Sequence, residues 1–103
     1  MKKISVKKYR VDIKPTAEAD LIKRYQEIGA ESPQNALNWY LAIMAALEKL
    51  DELAERCPIA PEDREFGLGI RHLIIGDYRA LYLIREEAVE VLHIRHSAMD
   101  RKL

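Results

Sequence analysis

Hydrophobic and polar positions alternate with a period of two in the last third of the chain, from Gly69 to Asp100. Ile70 to Ile75, Tyr78 to Arg85 and Val89 to His96 are strand-length runs rich in β-branched, aromatic and leucine residues, separated by the pairs Gly76-Asp77 and Glu86-Glu87. Turn pairs between such runs predict a three-stranded antiparallel meander. In its middle strand Tyr78, Ala80, Tyr82 and Ile84 fall on one face, and Arg79, Leu81 and Leu83 on the other. Both faces carry apolar side chains. A chain this short has little left to cover the second face, so Leu81 and Leu83 beside Arg79 are expected to form an open surface for a partner.

Upstream, Ile4 to Lys14 sets Tyr9, Val11 and Ile13 against Arg10, Asp12 and Lys14, a half-buried strand that Pro15 ends. The period then changes to helical. Thr16 reads as an N-cap, Ala17 to Ile28 carries Leu21, Ile22, Tyr25 and Ile28 on one stripe, and Gly29 reads as the C-terminal cap. A second helix opens with Ser32 and Pro33, where a missing amide hydrogen costs nothing, and is expected to reach about Arg56. Its polar stripe, through Asn38, Ala42, Ala45, Lys49, Glu52 and Arg56, is narrow. One apolar stripe beside it carries Leu37, Leu41, Met44 and Leu47, the other Trp39, Ile43, Ala46, Leu50 and Leu53. So wide an apolar arc predicts a helix lying between the first helix and the sheet, with Trp39 and the methionines in the core and not in a cofactor box.

The two helices are expected to pair antiparallel through the loop Gly29 to Glu31. Pro58 to Gly69, with acidic Glu62, Asp63 and Glu65, reads as a surface connection. The predicted architecture is α+β: a strand, a helical hairpin, then the meander. The hairpin should cover one face of a four-stranded sheet, in a single domain spanning 1–103.

Composition narrows the function. Lys plus Arg and Asp plus Glu cancel at 17 each, so no whole-molecule field draws the chain onto a polyanion. Any nucleic-acid contact must be a local patch. Lys2, Lys3, Lys7, Lys8 and Arg10 load the amino end, and acids are frequent from Glu48 to Glu65. The single cysteine, Cys57, excludes an internal disulfide, suits a reducing cytoplasm and is most simply a packed side chain. The start MKKISVKKYR has no apolar core behind its charges, which argues against a signal peptide. The apolar run Leu41 to Leu47 is far short of a membrane span, so no membrane contact is expected.

Two constellations carry candidate chemistry. His93-Ile94-Arg95-His96 is the densest polar cluster in an apolar element. Histidines three apart on a strand face opposite ways and nothing else has ligand spacing, so no metal site is expected. A histidine and arginines at a strand end can move protons and steady a phosphate; solvated residues at a strand end account for them equally. Arg71 and Arg79 flank the Gly76-Asp77 turn on paired strands. They read either as guanidinium groups for phosphate or a partner carboxylate, or as partners of Asp77 or Glu90.

Element order, the run G-I-R-x-L-x-x-G-x-Y-R-x-x-Y, and V-x-V-L-H-I-R-H-x-x-M-D together resemble the RelE/ParE superfamily of bacterial type II toxins, also called plasmid-stabilisation proteins. The likeness spans Tyr9 to Asp100, and its specific part is Gly69 to Asp100. The resemblance implies a toxin silenced by a cognate antitoxin that wraps its open surface, giving a hetero-oligomer. RelE-type members cut messenger RNA on the ribosome; ParE-type members poison DNA gyrase.

Carried over residue by residue, Arg79 matches the arginine with which RelE-type nucleases stabilise the scissile phosphate. The nuclease pattern then thins. Where those proteins carry paired lysines this chain has Ile70-Arg71-His72, no tyrosine follows Tyr82, and His96 is followed by Ser97. A nuclease would need His96 for proton transfer and Arg79 with Arg95 for charge. The ending is nearer the ParE-like branch. The expected function is therefore a cytoplasmic gyrase poison neutralised by its antitoxin, with Arg71, Arg79, Leu81, Leu83, Arg95 and His96 as target- or antitoxin-binding residues. The alternatives are a ribosome-dependent endoribonuclease using Arg79, Arg95 and His96, and an inactive toxin-fold interaction module. None of them calls for a cofactor.

Overall fold

The structure, a computed structural model, describes residues 8–97. The beginning of the first expected strand, most of the basic amino end and the Met-Asp of the last motif lie outside the described residues. The elements run β1 (Arg10–Ile13), α1 (Pro15–Glu31), α2 (Pro33–Glu48), α3 (Leu50–Leu53), α4 (Asp63–Phe66), β2 (Arg71–Ile75), β3 (Tyr78–Arg85) and β4 (Ala88–His96). They form the predicted α+β arrangement. The sheet order is β1-β4-β3-β2, with β1 parallel to β4 and the rest antiparallel. A parallel pair needs a long crossover, and the helices between β1 and the meander supply it.

β1 stops opposite Val91, so the outer edge of β4 beyond that point has no strand beside it. The start of α1 takes over. Lys14 N donates to Val91 O at 2.9 Å, the Thr16 hydroxyl to Leu92 O at 2.5 Å, and Ile94 N donates to the Asp20 carboxylate at 3.0 Å. Thr16 is therefore not the N-cap expected of it. Pro15 stands in the first helical turn after Lys14, which makes no side-chain cap, and the hydroxyl that would have capped is committed to β4.

Gly29 is not a cap either. The helix runs through it to Glu31, and a Cβ there would meet the Ala36 Cβ at 3.6 Å, so the glycine lies where α1 and α2 approach each other. The hairpin turns at Ser32 alone, whose hydroxyl oxygen accepts from Asn35 N at 3.2 Å. α2 ends at Glu48 and not near Arg56, because the chain turns at Lys49 before the short α3.

α1 lies along both α2 and β4, so α2 is not sandwiched between the first helix and the sheet. Both helices line one layer. The core there holds Leu21, Ile43, Leu47 and Leu50 against Tyr82, Val89 and Val91. Tyr82 is fully buried and donates its hydroxyl to Ala54 O at 2.6 Å; burial pushes its phenol pKa up. Trp39 packs on this core, as the sequence pattern expected, and meets Tyr78 edge-on. Among the described residues no helix is long and apolar enough to cross a membrane.

The opposite face of the sheet carries the main correction. Leu81 and Leu83 are only 3% and 8% exposed, packed with Ala60 and Ile70. The segment Pro58 to Gly69, expected as a mere surface connection, folds over them. Ala60 N donates to Ile70 O and His72 N to Pro58 O, so this segment also borders β2. It is stiffened from within: Asp63 Oδ1 accepts from the backbone N–H groups of Leu68, Gly69 and Ile70, each at 2.9 Å, which holds its carboxyl below the usual range. Gly67 closes α4 at φ 62°, a left-handed geometry that a glycine adopts without a Cβ clash.

Candidate functional site

Pairing of β3 with β4 sets Arg79 opposite Arg95 on the face away from the helices. Two guanidinium groups side by side repel unless an anion intervenes. Glu62, from the segment that crosses this face, intervenes. Arg79 Nη1 donates to Oε1 at 3.0 Å and Nη2 to Oε2 at 2.6 Å, with the two side chains 12% and 6% exposed. This bidentate bond, helped by the charge of Arg95, holds the Glu62 carboxyl below its ordinary pKa. Arg79 also faces His72 Nδ1 at 3.1 Å; the guanidinium can only donate, so Nδ1 accepts. Burial, then the Arg79 charge, pulls the His72 pKa down.

One carboxylate thus answers two arginines. Arg79 takes both of its oxygens, and Arg95 makes no ion pair among the described residues. Beside Arg95 runs an apolar groove of about 480 Å³, with Leu81, Leu92 and Ile70 along it, Phe66 and Leu68 from the covering segment, and Glu65 and His93 among its polar residues. Phe66 and Leu68 are 62% and 63% exposed. The apolar surface that stays open on this face is displaced from where the sequence put it. The covering segment buries Leu81 and Leu83 and presents its own side chains in their place.

The other expected residues scatter. Arg71 Nη1 donates to Cys57 O at 2.6 Å and is spent on the backbone after α3. His96 sits on the helix side of the sheet, edge-on to Tyr78 with ring centroids 5.0 Å apart. It borders a polar recess of about 190 Å³ shared with Asp20, Lys23, Arg24 and Glu27. Arg24 Nε donates to the Tyr78 hydroxyl there at 2.6 Å. His93 pairs with Asp20 at 3.0 Å.

Proton transfer and phosphate stabilisation must converge within hydrogen-bond reach of one scissile group. Here His96 lies on one face of the sheet and Arg79 with Arg95 on the other, and the Arg79 fork is already filled. The split follows from a bulge: the register of β3 against β4 shifts by one between Leu81 and Tyr82, and plain alternation back from Val89 and Val91 would have put His96 on the Arg79 face. Glu62, Asp20 and Phe66 were missed. Glu62 and Phe66 lie in an irregular segment with no period to read, and Asp20 is one of several helix acids. Among the described residues no group of three or more His, Cys, Asp or Glu could hold a metal ion.

Comparison with known proteins places this geometry. No curated protein matches the chain in sequence. A chain of the chromosomal ParDE TA system from P. aeruginosa has the same fold, with a TM-score of 0.71 at 19% identity, over 85% of this chain and 95% of that one. The profile described as ParE toxin of type II toxin-antitoxin system, parDE, matches residues 11–101, nearly the whole sequence. A strand, a helical hairpin and an antiparallel meander carrying that family's pattern from end to end make this chain a member of the ParE toxin family of type II toxin-antitoxin systems.

Proposed function

We propose that the protein is a cytoplasmic toxin that acts by binding and poisoning DNA gyrase, and that a cognate antitoxin silences it by docking a segment in the groove beside Arg95. One observation carries the choice of binding over catalysis. The three residues on which the nuclease reading rests are divided, His96 on one face of the sheet and Arg79 with Arg95 on the other, with Arg79 locked to Glu62. Family membership supports the toxin role. The groove supports a docking segment of apolar side chains ending in a carboxylate, which would find Phe66, Leu68 and Leu92 along its length and Arg95 near its end.

The test runs a gyrase supercoiling assay beside a translation-coupled RNA cleavage assay. Blocked supercoiling with intact message is the expected result; cleaved message with normal supercoiling would return the nuclease reading. In the same preparation Arg95→Glu should weaken antitoxin binding by roughly tenfold or more, since it sets a like charge against the docking carboxylate. Unchanged affinity would move the antitoxin elsewhere on the surface.

A further inference from the structure

From Pro33 to Leu47, fifteen residues, α2 carries no Asp, Glu, Lys or Arg, in a chain that is 33% charged. A helix packed on its own domain ordinarily turns charged residues toward water. This one turns out Leu37 and Leu41, 42% and 55% exposed, with Asn38, Ala42 and Ala45 exposed beside them. The patch continues onto α1 through Ile22 and Tyr25, joined by the edge contact of Tyr25 and Tyr40 at 5.9 Å. Leu37, Leu41, Ala45 and Glu48 follow one another at spacings of four and three and so share one seam of α2. In addition α2 has no acidic residue in its first turn, which only the neutral Ser32 hydroxyl caps.

We infer that this face pairs with α2 of a second copy of the chain, antiparallel, about a two-fold axis at Leu41. A two-fold contact lays a patch on itself, so the patch must be self-complementary. Residues equally distant from Leu41 then meet. Leu37 falls over Ala45, a large side chain on a small one, which permits close helix approach. Gln34 falls near Glu48, which brings a carboxylate to the amide of Gln34 and to the first turn of the facing helix, which holds no acid of its own. No like charges meet along the seam, because between these ends it carries none. A nucleic acid would find no cation there to release its counterions. The contact uses the helix side of the molecule and leaves the groove beside Arg95, on the opposite face, free for another chain.

Sedimentation equilibrium of the full chain, free of antitoxin, from about 1 to about 100 µM should follow a reversible monomer–dimer equilibrium. Leu41→Lys sets two ammonium groups face to face at the axis and should raise the dissociation constant by roughly tenfold or more. Gln34→Glu, facing Glu48, should weaken pairing, and Gln34→Lys should strengthen it. Ile74→Lys, at an exposed position of β2, should change nothing. If circular dichroism shows that Leu41→Lys misfolds, Ala45→Glu at another exposed position of the seam carries the test. A monomer at every concentration would overturn the inference, as would a dimer indifferent to both seam variants or lost with Ile74→Lys. A monomeric free chain in which Leu41→Lys weakens the antitoxin complex would assign the face to the antitoxin, and would overturn it equally.

Discussion

Leu81→Glu is expected to unfold the protein. Leu81 is 3% exposed between Ala60, Ile70 and Leu83, so the change removes a buried leucine and places a carboxylate in its apolar bed. Losing the side chain alone costs about 2–5 kcal/mol. Burying the carboxyl, charged or neutral, adds a further penalty of the order of 1–3 kcal/mol. The sum, roughly 4 kcal/mol or more, is a large share of the 5–15 kcal/mol that holds a domain together. Urea unfolding followed by circular dichroism should show no cooperative native baseline at 25 °C, whereas Leu81→Ala should keep one with a lower midpoint. A folded Leu81→Glu with the wild-type midpoint would mean that the segment from Pro58 to Gly69 does not seal this face.

Glu62→Ala should have the next largest effect. It leaves the Arg79 guanidinium, 12% exposed, without its bidentate partner and next to Arg95. Breaking a buried pair from one side costs about 3–5 kcal/mol, because the surviving charge stays buried and uncompensated. Replacing both partners, Glu62→Leu with Arg79→Met, should recover much of that loss, since an apolar pair leaves no orphaned charge.

The pair also predicts acid sensitivity. The folded-state pKa of Glu62 lies below its unfolded value, so its contribution is complete above the ordinary glutamate value, about 4.3, and is lost as pH falls through the lower folded value. His72 acts in a higher window. Its folded pKa is also depressed, so the unfolded chain binds a proton first, and stability declines as pH falls below about 6.5. Urea midpoints of the wild type should therefore drop in two stages on acidification, and in Glu62→Ala the second should be smaller, the part due to Asp63 remaining. An equal gap between the two proteins at pH 3 and pH 7 would show that the carboxylate of Glu62 contributes nothing through its charge.

Both predictions concern one physical device: a segment strapped across a sheet face by Glu62 on Arg79 and by Asp63 on its own backbone. Fixing those twelve or so residues costs backbone entropy, which the burial of Ala60, Ile70, Leu81 and Leu83 offsets. The strap leaves Phe66, Leu68 and Arg95 as what a partner meets.

Local pattern was enough for the three meander strands, the hairpin, Ser32 as the cap of α2 and the α+β class. Period two and period 3.6 arise within a few residues of chain, and Gly76-Asp77 and Glu86-Glu87 mark the turns between strands wherever the rest of the protein lies. The division of Arg79 from His96 was not legible in that alternation, because the bulge between Leu81 and Tyr82 shifts β3 against β4 by one residue. What the pattern could not carry was any contact made across a long separation by residues with no period. Glu62 reaches Arg79 over 17 positions from an irregular segment. Asp20 reaches Ile94 over 74, where β1 runs out beside β4. Thr16 and Gly29 show the same limit in miniature: each has the right type for a cap, and each is claimed instead by a neighbour that only the packed chain brings near. Alternation told which side of β3 Leu81 and Leu83 would face; whether water or protein lay there depended on twelve aperiodic residues folding back, and their energy is a sum of long-range contacts that no window of sequence contains.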